Sequence, residues 1–300
     1  MSSLKAKNAA PDSGKSGEKN KVVGSTLYLV ATPIGNLADL SARAVKVLSE
    51  VDFIAAEDTR NSLHLLQYLG ISKPLVSYFE HNKLERGEQI ADRLAAGESC
   101  ALITDAGTPA ISDPGEDLVA LCAERGITVT SIPGCCAGIT ALTLSALPTG
   151  RFTFEGFLSV NKADRRRHLD ELKNEMRTMI FHEAPHKLCA TLEDLAKVFG
   201  AERKIALCRE LTKLNEQVLR LTLGEAVEYH KENAPRGEYV LVVEGAKDIA
   251  SDVEFWSDMS IPQHVEHYVN EGMSKMDAIK AAARDRGVPK NTVYKEMVDT

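Results

Sequence analysis

"LITDAGTPAISDPG", residues 102–115, is the stretch on which the fold turns. A short apolar run ends at Thr104, and Asp105, Gly107, Pro109, Asp113, Pro114 and Gly115 follow in quick succession. A plain connection needs only a few such turn-forming residues. The stretch therefore reads as a buried strand followed by a loop built to hold a ligand. Ser112 to Gly115 are expected to open the next helix, with Pro114 near its start.

The same alternation of β-rich and helical runs extends to both sides. Towards the N-terminus, "TLYLVA" (26–31), "DFIAAE" (52–57) and "PLVSYF" (74–79) read as strands. Between them, "LADLSARAVKVLSEV" (37–51), "NSLHLLQYLG" (61–70) and "LERGEQIADRLAAGE" (84–98) carry helical apolar spacing. Towards the C-terminus come a helix over 115–127, the strand "TVTSIP" (128–133) and a helix over 136–147. Strands alternating with helices predict parallel β-α-β units, hence an α/β domain over 25–150.

After a linker at 147–152 the pattern changes. Strands are predicted at 151–157, 178–183, 204–211, 217–223 and 238–245, with helices at 163–176, 188–200 and 224–232. Neighbouring strands with few crossovers imply a mixed or largely antiparallel sheet and a second α/β domain over 151–246. Residues 247–300 show no strand signal and read as three short helices with Gly between them. Such a tail resembles a helix-turn-helix, although helical hairpins more commonly serve as a packed cap or dimer arm. Residues 1–24, rich in Lys, Ser, Gly and Asn, read as a disordered leader.

Composition narrows the function. A formal net charge of −7 is unlike that of a general polyanion binder. The six cysteines form no C-x-x-C pair, so reduced thiols are expected rather than zinc or disulfides. No signal peptide and no apolar run long enough to span a bilayer is present, which points to a cytoplasmic protein with no membrane partner, and the cysteine spacing gives no reason to expect a metal. The chain contains no G-x-G, which argues against a dinucleotide Rossmann site, and "SGKSG" in the leader lacks the earlier Gly and the strand of a phosphate loop. Three strand-to-helix loops nevertheless carry Gly or Pro: "ATPIGN" (31–36), "TDAGTPAISDPG" (104–115) and "IPGCCAG" (132–138). On parallel strands they open on one edge of the sheet, where backbone N–H groups can meet a carboxylate, ribose hydroxyls or a base edge.

"LYLVATPIGNLADLSARAVKVL", "AAEDTRNS", "LITDAGTPAISDPG", "IPGCCAGITAL", "EGFL", "FHEAPHKL", "CRELTKLNEQV" and "GEYVLVVEG" follow one another in an order that resembles the 16S ribosomal RNA ribose 2′-O-methyltransferases of the tetrapyrrole-methylase superfamily. The resemblance runs from about Thr26 to Gly245, and the helical tail is also similar. It implies two α/β domains with S-adenosyl-L-methionine in the cleft between them, a class III methyltransferase architecture, and commonly a homodimer. The implied substrate is the ribose of a cytidine in the decoding region of 16S rRNA, on the small ribosomal subunit. Carried over by motif, the cofactor contacts are Thr32, Pro33 and Gly35 in the first loop, Asp105, Gly107, Thr108 and Ile111 in the second, and Cys136 and Ala137 in the third. Glu183 of "FHEAPHK", with Arg209 and Glu210 of "CREL", is expected to close the site. Family members commonly carry Pro-Ser where this chain has Cys135-Cys136, so backbone contacts to the cofactor are kept there and a hydroxyl contact is lost.

Methyl transfer to a hydroxyl benefits from a base that takes the departing proton. Glu57, Asp58, Glu183 and Glu210 are the acidic candidates, and Arg60 beside them suits a phosphate. The alternative for Asp58 is a helix N-cap with an ordinary ion pair. His182 and His186 flank Glu183 in positions where histidines are more often structural. Lys162, Arg165, Arg166 and Arg167 form a basic run for an RNA backbone, unless they simply pair with Asp164, Asp170 and Glu171 on a solvated helix. The rival functions are a tetrapyrrole methylase, which needs neither the Arg run nor the tail, a cofactor-sensing nucleic-acid regulator, which needs a more basic tail, and a protein methylase.

Overall fold

The computed structural model describes residues 20–247, 256 and 258–298; most of the expected leader lies outside them. Five strands build the first sheet: β1 (Thr26–Val30), β2 (Phe53–Ala56), β3 (Leu75–Ser77), β4 (Ser99–Ile103) and β5 (Thr128–Ile132). All neighbouring pairs are parallel, in the order β3-β2-β4-β1-β5. Helices α1 (Ala42–Glu50), α2 (Thr59–Tyr68), α3 (Lys83–Ala95) and α4 (Gly115–Glu124) make the crossovers. Parallel strands covered on both faces read as continuous apolar runs, and β2 and β4 are buried throughout. Along β1, Leu27 packs into one core with Leu94 and Leu118, while Tyr28 and Val30 pack into the other with Val47 and Leu48.

Strand order decides where a ligand fits. From β1 the chain passes over β4 to reach β2, and from β4 it passes over β1 to reach β5. The loops leaving the adjacent strands β1 and β4 therefore diverge, and they leave a crevice at the carboxyl edge of the sheet.

The helix that follows β5, α5 (Ala137–Leu144), does not cover its own sheet. Its Ala141 and Leu142 pack with Ile180, Ala206, Val240 and Val242 of the second sheet. That sheet comprises β6 (Phe152–Phe157), β7 (Thr178–Glu183), β8 (Lys204–Arg209), β9 (Gln217–Thr222) and β10 (Tyr239–Val243), in the order β6-β7-β10-β8-β9. Only β6 and β7 are parallel; β10 runs antiparallel to both β7 and β8, and β8 to β9. Its other face is covered by α6 (Lys162–Glu171), α7 (Pro185–Phe199) and α8 (Leu223–Glu232) around Phe181, Leu192, Leu207 and Leu241. The expected helix over 163–176 stops at Glu171, and Arg177 closes the following turn on the Glu175 carboxylate with bonds of 2.8 and 2.7 Å. The two sheets thus share one compact unit that runs to Gly245.

A separate unit begins at Ala246. In it α9 (Ile261–Asn270), α10 (Lys275–Asp285) and α11 (Lys290–Val298) enclose Val265, Ile279, Ala282 and Val293. Ser260 and Ser274 cap the first two helices. The Arg286 guanidinium lies 5.0 Å from the centre of the Trp256 ring and donates to the Trp256 and Met259 carbonyls. Among the described residues no helix is long and apolar enough to cross a membrane.

Because α5 is the apolar element that carries the first half of the chain onto the second sheet, Leu142→Ala is expected to cost about 2–5 kcal/mol. Urea unfolding followed by circular dichroism measures it.

Candidate active site

Three loops at the carboxyl edge of the first sheet are tied to one another. Thr32 N–H donates to the Gly107 carbonyl at 2.9 Å, and Gly107 N–H returns a bond to the Thr32 carbonyl at 3.1 Å. The Thr32 hydroxyl donates to the Thr104 carbonyl at 3.2 Å, and the Thr108 hydroxyl to the Cys135 carbonyl at 2.8 Å. Within the second loop the Asp113 carboxylate accepts from the N–H groups of Ala110, Ile111 and Gly115 at 3.1, 3.1 and 2.8 Å. That carboxylate clamps a loop in which both Ala110 and Ser112 have φ of 64°, a left-handed conformation costly for residues other than Gly. The next helix accordingly begins at Gly115, not at Ser112: Ser112 to Pro114 belong to the loop, because Ser112 is not helical and Asp113 spends its carboxylate on loop amides. A Cβ on Gly115 would stand 2.6 Å from Asp113 Oδ1 and 2.9 Å from Ala110 N, so the clamp needs Gly there.

The loops form one wall of a cavity of about 590 Å³ whose other wall is the second sheet. The first wall presents Asp105, Thr108, Ile111 and Asp113, with Glu57 beyond β2, Ile34 beyond β1 and Ala137 at the start of α5. The second presents Phe157, His182, Glu183, Leu211, Glu238 and Tyr239. Of the residues expected at a cofactor, Asp105, Thr108, Ile111, Ala137 and Glu183 line this cavity. Thr32 and Gly107 are buried in the bridge beneath it, and Pro33, Gly35, Cys136 and Arg209 lie outside its lining. Gly35 instead abuts the loop after β8: a Cβ there would collide with the Lys213 side chain and approach the Leu211 carbonyl to 3.1 Å. Arg209 donates to the Arg236 carbonyl at 2.7 Å.

The four acidic candidates separate by environment. Asp58 caps α2, accepting from Arg60 N–H at 2.8 Å and from the Arg60 guanidinium at 2.7 and 3.1 Å; these bonds hold its pKa down to about 2. Glu210 takes the Glu238 N–H at 3.0 Å and the Lys213 ammonium at 2.9 Å, which keep its pKa below the ordinary glutamate value. It lies outside the cavity lining. Glu183 is 5% exposed, and both its oxygens are occupied, one by Ala184 N–H at 2.8 Å and the other by the Thr191 hydroxyl at 2.6 Å. It thereby ties the end of β7 to α7. Glu57 opens to solvent, yet the protein mass around its carboxyl and the negative charges of Asp105 and Asp113 push its pKa up. Asp105 itself accepts from Asn61 Nδ2 at 3.1 Å.

Phe157, Glu238 and Tyr239 are cavity residues that strand counting does not single out. β10 is antiparallel, so its first residue, Tyr239, pairs with Glu183 on one side and Arg209 on the other. Strand starts, and not only strand ends, therefore reach the cleft in the second sheet. The aromatic inside "EGF" was the available signal for Phe157.

Of the basic run, Arg165 turns inward and binds Asp194 on α7 through bonds of 2.8 and 2.6 Å. Arg166 and Arg167 remain on the surface along α6, Arg166 at 3.5 Å from Asp170 and Arg167 hydrogen-bonded to Asp164 at 2.8 Å. Lys162 is exposed at the first turn of α6, and Arg60 is exposed beside Asp58. Among the described residues no group of His, Cys, Asp or Glu is arranged to hold a metal ion, and all six cysteines are free thiols.

Thr191→Val leaves one oxygen of the buried Glu183 carboxylate without its partner. The expected loss of stability is about 1–3 kcal/mol, read by thermal or denaturant unfolding, and Glu183→Gln combined with Thr191→Val should recover part of it.

Residues 26–227 match the family described as tetrapyrrole (corrin/porphyrin) methylases. Over 270 residues the chain is 49% identical to "Ribosomal RNA small subunit methyltransferase I" of Halalkalibacterium halodurans, covering 90% of this chain and 93% of that protein. The protein of the same name from Synechocystis is 46% identical, covering 89% of this chain and 95% of its own length. In fold, the chain is similar to uroporphyrin-III C-methyltransferase from Thermus thermophilus, solved with S-adenosyl homocysteine, at a TM-score of 0.51 and 17% identity over 73% of this chain and 97% of that one. The loop-lined cleft between two α/β sheets, the family match over more than half the chain and these relatives agree: the chain belongs to the tetrapyrrole methylase family and is a methyltransferase.

Proposed function

We propose that this enzyme transfers a methyl group from S-adenosyl-L-methionine to the ribose 2′-hydroxyl of a cytidine in the decoding region of 16S rRNA, on the small ribosomal subunit, and that it acts as a homodimer in the cytoplasm. The observation that carries the reading is the near end-to-end similarity to proteins named as small-subunit rRNA methyltransferases. The chemistry of the cavity supports it. Glu57, Asp105, Asp113, Glu183 and Glu238 line it, and among the described residues no Lys or Arg does. Such a cavity attracts a cation and repels a phosphodiester. S-adenosyl-L-methionine carries a sulfonium and an ammonium against one carboxylate and is a net cation, so the residues present fit it, and RNA phosphates are left to bind at the rim.

When bound, the cofactor supplies an electrophilic methyl on a good leaving group. The protein's work is then to align donor and acceptor and to remove one proton. Asp105, Thr108, Ile111 and Ala137 are the residues assigned to hold the donor, with Thr32 and Gly107 fixing the loop beneath them. Glu57 is assigned as the base that accepts the 2′-hydroxyl proton: among the four acidic candidates it alone lines the cavity with a carboxyl whose pKa is pushed up and whose oxygens are not both committed to a structural bond. Asp58 and Glu210 are assigned structural roles, and Glu183 the role of holding the β7–α7 corner. Arg60, Lys162, Arg166 and Arg167 are assigned to RNA phosphates, and Arg165 to anchoring α6 on α7.

Incubation with methyl-labelled cofactor and unmethylated small subunits should place label in 16S rRNA at a linkage resistant to alkali. Label confined to ribosomal protein or to an added tetrapyrrole would contradict the reading. Glu57→Gln should lower kcat by roughly 10²–10⁴-fold. The base must be ionised to act, so the wild-type rate should rise with pH through a pKa above the ordinary glutamate value of 4.5, and that limb should vanish in the variant. Arg166→Glu with Arg167→Glu should raise KM for the subunit and reduce its salt dependence, while affinity for S-adenosyl homocysteine stays unchanged in calorimetry.

A further inference from the structure

Phe157 is an apolar ring left 61% exposed on the cavity wall, and the strand is distorted to put it there. In a regular strand, residues 154 and 157 would point to opposite faces. Pairing of β6 with β7 instead slips between Phe154 and Gly156: Phe154 stands opposite Ile180, but Phe157 stands opposite His182. The extra residue at this bulge, with Gly156 at φ 62°, returns Phe157 to the face that Phe154 occupies. Both rings then meet the His182 imidazole edge to face, with centroids 5.3 and 5.4 Å away and planes at 87°. Phe157 is thus braced from behind and open in front.

The surroundings say what the open face would take. The cavity wall is acidic, so a phosphate is disfavoured there. The exposed cations Lys162, Arg166 and Arg167 lie on α6, which begins a few residues after β6 ends. α6 packs on the face of the second sheet opposite Phe157, so its cations are left for RNA beyond the target nucleotide, whereas an uncharged base meets no repulsion at the acidic wall, and aromatic side chains bind unstacked bases by their π-faces.

We propose that Phe157 is the platform on which the nucleobase of the methylated nucleotide stacks when it leaves its RNA stack, with the bulge at Glu155–Gly156 and the His182 ring fixing its orientation. The inference rests on the ribosomal RNA reading given above.

The test compares Phe157→Leu, which keeps apolar bulk and loses the π-face, with Phe157→Trp, which keeps it, in the full-length enzyme on unmethylated small subunits. Stacking on an aromatic is worth about 1–3 kcal/mol per base, or roughly 5- to 150-fold. Phe157→Leu should raise KM for the subunit within that range, Phe157→Trp should stay within about threefold of wild type, and both should keep wild-type affinity for S-adenosyl homocysteine, melting temperature and oligomeric state. Overturning results are an unchanged KM in Phe157→Leu, an equal loss in both variants, a matching loss of S-adenosyl homocysteine affinity (which would put the ring against the cofactor), or dissociation of the assembly (which would make it a subunit contact). If the wild-type enzyme itself places no label in RNA, the ribosomal RNA reading fails, and it fails separately from the role of Phe157.

Discussion

The reciprocal pair of backbone hydrogen bonds between Thr32 and Gly107 is the constraint on which the site depends. Strand order makes the loops after β1 and β4 diverge, and a crevice whose walls could drift apart would hold nothing in a fixed place. The bridge closes the bottom of that crevice, the Thr32 hydroxyl fastens it to the end of β4, and Thr108 extends the tie to the third loop. Above the bridge, the Asp113 clamp holds two left-handed residues in place. Strain of this kind persists only where the surroundings over-determine it. Here the Thr32–Gly107 backbone bridge, the Thr32 and Thr108 hydroxyls and the Asp113 carboxylate do so together, and Asp105, Thr108 and Ile111 line the cavity above them.

A second constraint is the path of α5. A crossover helix normally packs on the sheet it came from, whereas this one packs on the second sheet. The two sheets are thereby joined by an apolar contact next to the third loop, and the cavity becomes a cleft within one compact unit. The same arrangement makes the composition intelligible. An acidic cleft for a cationic donor and a small set of surface cations on α6 need no overall positive charge, so a net charge of −7 is no obstacle to an RNA substrate.

The first sheet was legible in the sequence because each parallel strand is a short apolar run followed by turn chemistry and then a helical stripe. The mixed character of the second sheet was legible from the scarcity of helices between its strands. Side-chain roles were less so. Thr32, Gly107 and Gly35 are expected at a ligand from their place in the Gly/Pro-rich loops, and the bonds and close contacts that these loops also make with one another are not legible there. Arg165 looked like its neighbours in the basic run, and only the tertiary position of Asp194 separates it from them. Glu57, Asp58, Glu183 and Glu210 are indistinguishable as letters; burial, caps and hydrogen-bond partners from distant strands set them apart. Tyr239 and Phe157 reach the cleft through an antiparallel register and a bulge, neither of which is written in local spacing.

The central claim is that the crevice above the Thr32–Gly107 bridge holds the methyl donor. Amide hydrogen exchange with and without S-adenosyl homocysteine tests it most directly. Protection is expected in residues 104–113 and 182–186, with the α9–α11 unit unchanged. Protection confined to the α9–α11 unit, or binding without protection of 104–113, would contradict the account.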